Sequence, residues 1–143
     1  MATRNTVFDP SAGKKALFST LWIFLMFNYL YCDFLSNMES TVLKGLLDGQ
    51  IAGMAVTPAF MLNAALLMEI PTAMVLLSRV LPFRVNRWAN IVAGLIMTLV
   101  QVGSLFVGSG PTPHYIFYSV IEASTAAFIV WFAWNWRAAE AAE

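Results

Sequence analysis

An all-α, antiparallel bundle of four transmembrane helices, with both termini cytoplasmic, is the fold class this sequence predicts. Three observations carry it. Charged residues make up 11% of the 143 and hydrophobic residues 59%, with mean hydropathy +0.70. A soluble domain carries about a quarter charged residues, so this chain lacks the charge to cover a water-facing surface. Four apolar segments, about residues 17–36, 58–80, 87–107 and 113–136, each reach the roughly 20 helical residues that cross a hydrocarbon layer. The basic residues then segregate between the connections: Arg4, Lys14 and Lys15 precede the first segment, Arg79, Arg84 and Arg87 surround the second turn, and Arg137 follows the fourth, leaving only Lys44 on the other side. That bias is the positive-inside pattern and points both termini to the cytoplasm. The length accommodates a single membrane domain.

Start signals support three of the helices. Thr57-Pro58 and Thr112-Pro113 each place a capping hydroxyl before a proline at the first helical position, and Asn86 is positioned to cap the third. The first segment, "LFSTLWIFLMFNYLYCDFL", is too long and aromatic for a cleaved signal peptide and has no small-x-small cleavage site after it. "LPFRVN" and "GSGPTP" read as tight turns, making the second, third and fourth helices antiparallel neighbours. The connection over 37–57 is longer. Its "GLLDGQIAG" has GxxxG spacing, but Asp48 and Gln50 interrupt it, so it reads as a flexible or re-entrant outer loop rather than a packing motif. The tryptophans of "VWFAWNW" read as interfacial anchors, and the tyrosines of the outer halves as an aromatic belt.

Polar residues inside the apolar segments are the candidates for function. At about 1.5 Å per helical residue, Asn28 lies roughly 12 Å from its outer helix end, Glu69 roughly 16 Å, Gln101 roughly 10 Å and Glu122 roughly 14 Å. Each helix thus gives one strongly polar side chain to one layer. Within the third helix, Asn90, Gly94, Met97, Gln101, Ser104 and Gly108 recur at steps of four and three, a small and polar seam of the kind membrane helix interfaces use. Tyr115, Tyr118, Glu122 and Thr125 share a face of the fourth helix, with Ser119 beside it. Asn28 pairs with Cys32 on the first, and Tyr29 with Asp33. The reading points Glu69, Gln101 and Glu122 at one another across the bundle axis, with Asn28 and Tyr118 as hydrogen-bonding partners. A charge at a helix centre costs about 2.5 to 3.5 kcal/mol on insertion scales, and no basic residue is within reach of either glutamate, so a pair that is neutral or shares one proton is expected. Asp33 reads either as a solvated helix end or as a gate to this layer, and His114 as an interfacial residue or a proton relay.

Several function classes are disfavoured. Zero formal net charge argues against nucleic acid. One cysteine, Cys32, allows no internal disulfide and no CxxC pair; with no base placed beside it, it reads as a small packing residue rather than a nucleophile. One histidine allows no haem held by two histidines of one chain. No phosphate loop, nucleophile elbow or HExxH motif is present, so no cofactor and no metal are expected.

"LFSTLWIFLMFNYLYCDFLS", "LMEIPTAMVLLSRVLPFRVNRWANI" and "IEASTAAFIVWFAWNW" together resemble a family of small bacterial four-helix membrane proteins of unknown function. The similarity runs from about Leu17 to Trp136. It implies a bacterial cytoplasmic membrane and the same four spans, and it carries over no functional residue. Three functions are compatible with the residues. One is binding or transport of a small cationic or proton-coupled solute at the polar layer, with a second copy of the chain needed to complete a pathway. Another is a structural or accessory subunit. The last is a membrane-embedded enzyme with Glu69 and Glu122 as acid and base.

Overall fold

The computed structural model describes residues 11–107 and 110–137. Arg4, Gly108 and the terminal "AAEAAE" lie outside the described residues. Four long helices form: α1 Ala12–Asn37, α3 Pro58–Val80, α4 Phe83–Ser104 and α5 Pro113–Asn135, with a short helix α2 Ser40–Leu47 and a minimal hairpin, β1 Gln50–Ile51 and β2 Met54–Ala55, between α1 and α3. All four long helices are long and apolar enough to cross a membrane. They close into a ring in which α1 packs on α3 and α5, and α4 packs on α5 and α3. Neighbours are antiparallel, because the start of α1 meets the end of α3 through Ser19 and Arg79 and its end meets the start of α5 through Ser36 and His114. Lys14, Lys15, Arg79, Arg84, Arg87 and Arg137 consequently gather at one end of the bundle, the basic end, while Lys44 lies on α2 at the other.

The connection over 37–57 is not an irregular loop but carries α2 and the β1–β2 hairpin. Glycine chemistry explains why. Gly49, at φ +71°, ends α2 one residue beyond its C-cap Asp48, the left-handed closure that glycine makes without steric cost. Ala52 at φ 50° and Gly53 at φ 81° then form the turn between Ile51 and Met54, and a two-residue hairpin of this hand requires positive φ at both positions. The other connections differ in length: α3 and α4 are joined by residues 81–82 alone, and α4 and α5 by 105–112.

Capping is as expected at Thr57, whose hydroxyl accepts from the Phe60 N–H at 3.1 Å. It is not at Asn86. Pro82 takes the N-cap position of α4, and the Asn86 side chain is fully buried, donating from Nδ2 to the Ser78 carbonyl at 2.6 Å. It belongs to a network that joins three helices. Asn90 Nδ2 donates to the Asn86 carbonyl at 2.9 Å and to Asn86 Oδ1 at 2.7 Å. Asn90 Oδ1 accepts from Trp22 Nε1 at 2.7 Å and from Ser78 Oγ at 3.4 Å. Beside it, Ser19 Oγ donates to the Val75 carbonyl at 2.8 Å and accepts from Arg79 Nε at 3.1 Å. Buried polar groups are stabilising only when paired, and these hydrogen bonds cross between α1, α3 and α4 at the basic end.

The tryptophans divide. Trp88, Trp131 and Trp134 are exposed, as anchors would be, whereas Trp22 and Trp136 belong to the core. Trp136 stacks obliquely on Phe18 at 5.5 Å and meets Phe83 edge-on at 5.0 Å, so it joins α1, α4 and α5 rather than marking an interface. Arg87 binds the end of α5, donating from Nε to the Ala133 carbonyl at 3.2 Å and from Nη2 to the Trp134 carbonyl at 2.9 Å. A cation is favoured where helix carbonyls go unpaired.

Candidate functional site

Between the four long helices, toward the end opposite the basic one, lies a cavity of about 110 Å³. Every long helix lines it: Tyr29, Cys32 and Asp33 from α1, Met68 from α3, Met97, Val100, Gln101 and Ser104 from α4, and Tyr115 and Glu122 from α5. Helical periodicity explains the set. On α1, Tyr29 is three and four residues from Cys32 and Asp33, one face of one turn. On α4, Met97, Gln101 and Ser104 continue the seam that begins with Asn90 and Gly94, whose members through Gln101 are all buried. On α5, Tyr115 is seven residues before Glu122, about 20° away around the axis at 3.6 residues per turn.

The wall has two parts. One is saturated: Gln101 Nε2 donates to Ser119 Oγ at 2.8 Å, Tyr115 OH donates to Ser104 Oγ at 2.7 Å, and Ser104 Oγ donates to the Gln101 carbonyl at 2.7 Å. The other is not. Glu122 is 1% exposed and its Oε1 has no hydrogen-bond partner; the Tyr29 hydroxyl, also buried, has none either. Leaving such groups unpaired in a low-dielectric interior costs about 1–3 kcal/mol each, and more for a charge. The lining contains two carboxyl groups, Glu122 and Asp33, and no lysine, arginine or histidine. Asp33 is itself exposed, so it sits at the rim while Glu122 lies deep.

Set against the expected site, the geometry keeps Asp33, Gln101 and Glu122 together and separates the rest. Glu69 is the main correction. Pro71, Met74 and Ser78 form the buried side of α3, and Glu69 lies about 170° around the axis from the centre of that side at 3.6 residues per turn; it is exposed and does not meet Glu122. An acid–base pair of Glu69 and Glu122 is therefore not assembled within one chain. Asn28 is buried but turns its amide back to its own helix, donating to the Phe24 carbonyl at 2.8 Å. Tyr118 packs edge-on against Phe117 at 5.5 Å and does not line the cavity. Tyr115 occupies that role instead, and the signal was present: four residues before Glu122 is about 40° off its face, seven is about 20°. In the sequence Tyr29 stands out only as the neighbour of Asp33. His114 stays shallow, beside Ser36 Oγ at 3.2 Å, Thr112 Oγ1 at 3.1 Å and Glu39 Oε1 at 3.5 Å, and joins the start of α5 to the α1–α2 corner.

Fold and cavity together define a class: a small four-helix protein of membrane-spanning length with an acidic, basic-free chamber between its helices. Residues 5–143 match the family described as "Family of unknown function (DUF6326)", and the chain belongs to it. No curated protein and no solved structure matches the chain.

Proposed function

We propose that this chain is an integral membrane protein, basic end toward the cytoplasm, that binds a small cationic hydrogen-bond donor in the chamber of Glu122, Asp33, Tyr29 and Tyr115. The observation that carries this reading is that Glu122 Oε1 and the Tyr29 hydroxyl, both buried and both without a hydrogen-bond partner, belong to the lining of one cavity that has no basic side chain in its wall. A carboxylate needs a donor, and among the described residues none bonds to Glu122 Oε1.

Size narrows the ligand. A cavity of about 110 Å³ is well below the roughly 300–1,000 Å³ of drug-sized pockets and equals about three or four waters at their liquid volume. Ammonium, a small primary amine, or a sodium ion with part of its water shell fits; a multidrug-sized cation does not. Tyrosine faces beside the carboxyl groups favour an organic ammonium. Because a lone buried charge is costly, the resting chamber holds a proton that an entering cation expels.

The test is calorimetric titration of the full chain in detergent with ammonium, methylammonium and sodium chlorides, with proton release followed in a weakly buffered sample. Hydrogen bonds to a charged group contribute about 1.5–3 kcal/mol, so Glu122→Gln is expected to weaken binding about ten- to hundred-fold and to abolish proton release. Tyr29→Phe should weaken binding less and leave the fold at least as stable, since it removes an unpaired hydroxyl. Identical titrations for wild type and Glu122→Gln with all three salts would refute the proposal.

A further inference from the structure

We propose that α3 is the contact helix of a symmetric homodimer, with Glu69 hydrogen-bonded to Glu69 of the partner subunit. This inference rests on membrane insertion but not on the chamber, because Glu69 and Glu122 lie on different faces of different helices.

Of the four long helices, α3 is the least covered by its own chain. Its outer face carries Leu62, Leu66, Leu76 and Val80, each more than half exposed, with Glu69 at the middle. An apolar face alone is satisfied by acyl chains. A carboxyl group pointed straight out from the middle of a spanning helix is not, because hydrocarbon offers it no hydrogen bond. The same face of α3 holds Leu62, Ala65, Leu66, Ala73, Leu76 and Val80, all apolar, and one hydroxyl, that of Thr72. Thr72, one turn away, donates its hydroxyl to the Met68 carbonyl at 2.8 Å.

Two features select a second copy as the occupant. A protonated carboxyl group has one donor and one acceptor on adjacent oxygens, so two of them close a cyclic pair of hydrogen bonds. Such a group is complementary to itself, as the contact across a two-fold axis must be. The spacing also fits: Leu62, Glu69 and Leu76 are seven apart, the repeat that keeps one seam against a partner helix at a shallow left-handed crossing. Ala65 lies beside Glu69 on the seam, a small residue where two backbones must approach.

The experiment uses the full chain reconstituted in phosphatidylcholine vesicles at low protein-to-lipid ratio. Cys32, the sole cysteine, is replaced by serine, and single cysteines are introduced by Leu62→Cys or Leu76→Cys on α3, or by Phe117→Cys on the exposed face of α5. Oxidation should produce disulfide-linked dimers from both α3 variants and little from the α5 variant. Single-molecule photobleaching of labelled wild type should show two-step traces, Glu69→Gln should keep them because paired amides are also self-complementary, and Glu69→Leu should raise the dimer dissociation constant about five- to thirty-fold. Single-step traces for wild type, or cross-linking as efficient from α5 as from α3, would overturn the dimer and leave α3 facing lipid or another protein.

Discussion

Asn90→Leu is expected to destabilise the chain by about 2 to 4 kcal/mol, measured as a lowered unfolding midpoint in detergent against a denaturing surfactant. The asparagine is fully buried and leucine is close to it in volume, so packing changes little. The loss is in hydrogen bonding. Without Asn90 Oδ1, the Trp22 indole N–H and the Ser78 hydroxyl lose the acceptor they share, and Asn86 Oδ1 loses the Asn90 amide. Each orphaned buried group costs about 1–3 kcal/mol. In a membrane the disordered chain also finds partners, which lowers the net value of each bond to about 0.6–2 kcal/mol, hence a sum below the simple total. Trp22→Phe, which removes one donor and leaves Asn90 with Ser78, should cost less than half as much. Equal stability of Asn90→Leu and wild type would show that the network does not hold the three helices together.

The second large effect is expected at Gly94. A Cβ built there meets Val130 Cγ2 at 2.7 Å and the Ala126 carbonyl oxygen at 3.2 Å. The first atom belongs to a side chain that can rotate. The second is backbone of α5 and moves only if the helix does. Gly94→Ala should therefore cost about 1–3 kcal/mol, the usual range for overpacking, and Gly94→Leu more, since its branches would need the space now filled by Ile129 and Val130. The distinguishing measurement is the response of the chamber. Gly94 and Gln101 are on one seam, so wedging α4 from α5 should also loosen the Gln101–Ser119 hydrogen bond and weaken cation binding, whereas Asn90→Leu, at the basic end, should leave the affinity of the folded fraction unchanged.

Depth was legible in the sequence and direction only partly. Residue count along a helix gives depth at a fixed rise, which singles out Gln101 and Glu122, both in the cavity wall, together with Asn28 and Glu69, which are not. Direction around the axis requires contrast between faces. The seam of α4 has it, in asparagine, glycine and glutamine set among leucine and valine, and its members Asn90, Gly94, Met97 and Gln101 are buried. In α3 the contrast is missing, because lipid and protein interior both accept leucine and methionine. A carboxyl group in lipid is unfavourable, which points the glutamate inward, yet it faces outward. The basic-end network was invisible for another reason. Asn86 sits where a helix cap is common, and only the two-residue link between α3 and α4 brings Ser78 within its reach. Trp22 and Trp136 show the same limit, since a tryptophan near a helix end suits both an interface and a core.

The uneven placement of the cross-helix hydrogen bonds gives the bundle a mechanical polarity. Where asparagine, serine and indole clasp three helices together, relative tilting has its fulcrum. The jaws are then at the far end, where methionine walls yield easily and His114 is the clasp between α5 and the α1–α2 corner. Any tilt of one helix against another about that fulcrum grows with distance from it, and Asp33 stands at the far end.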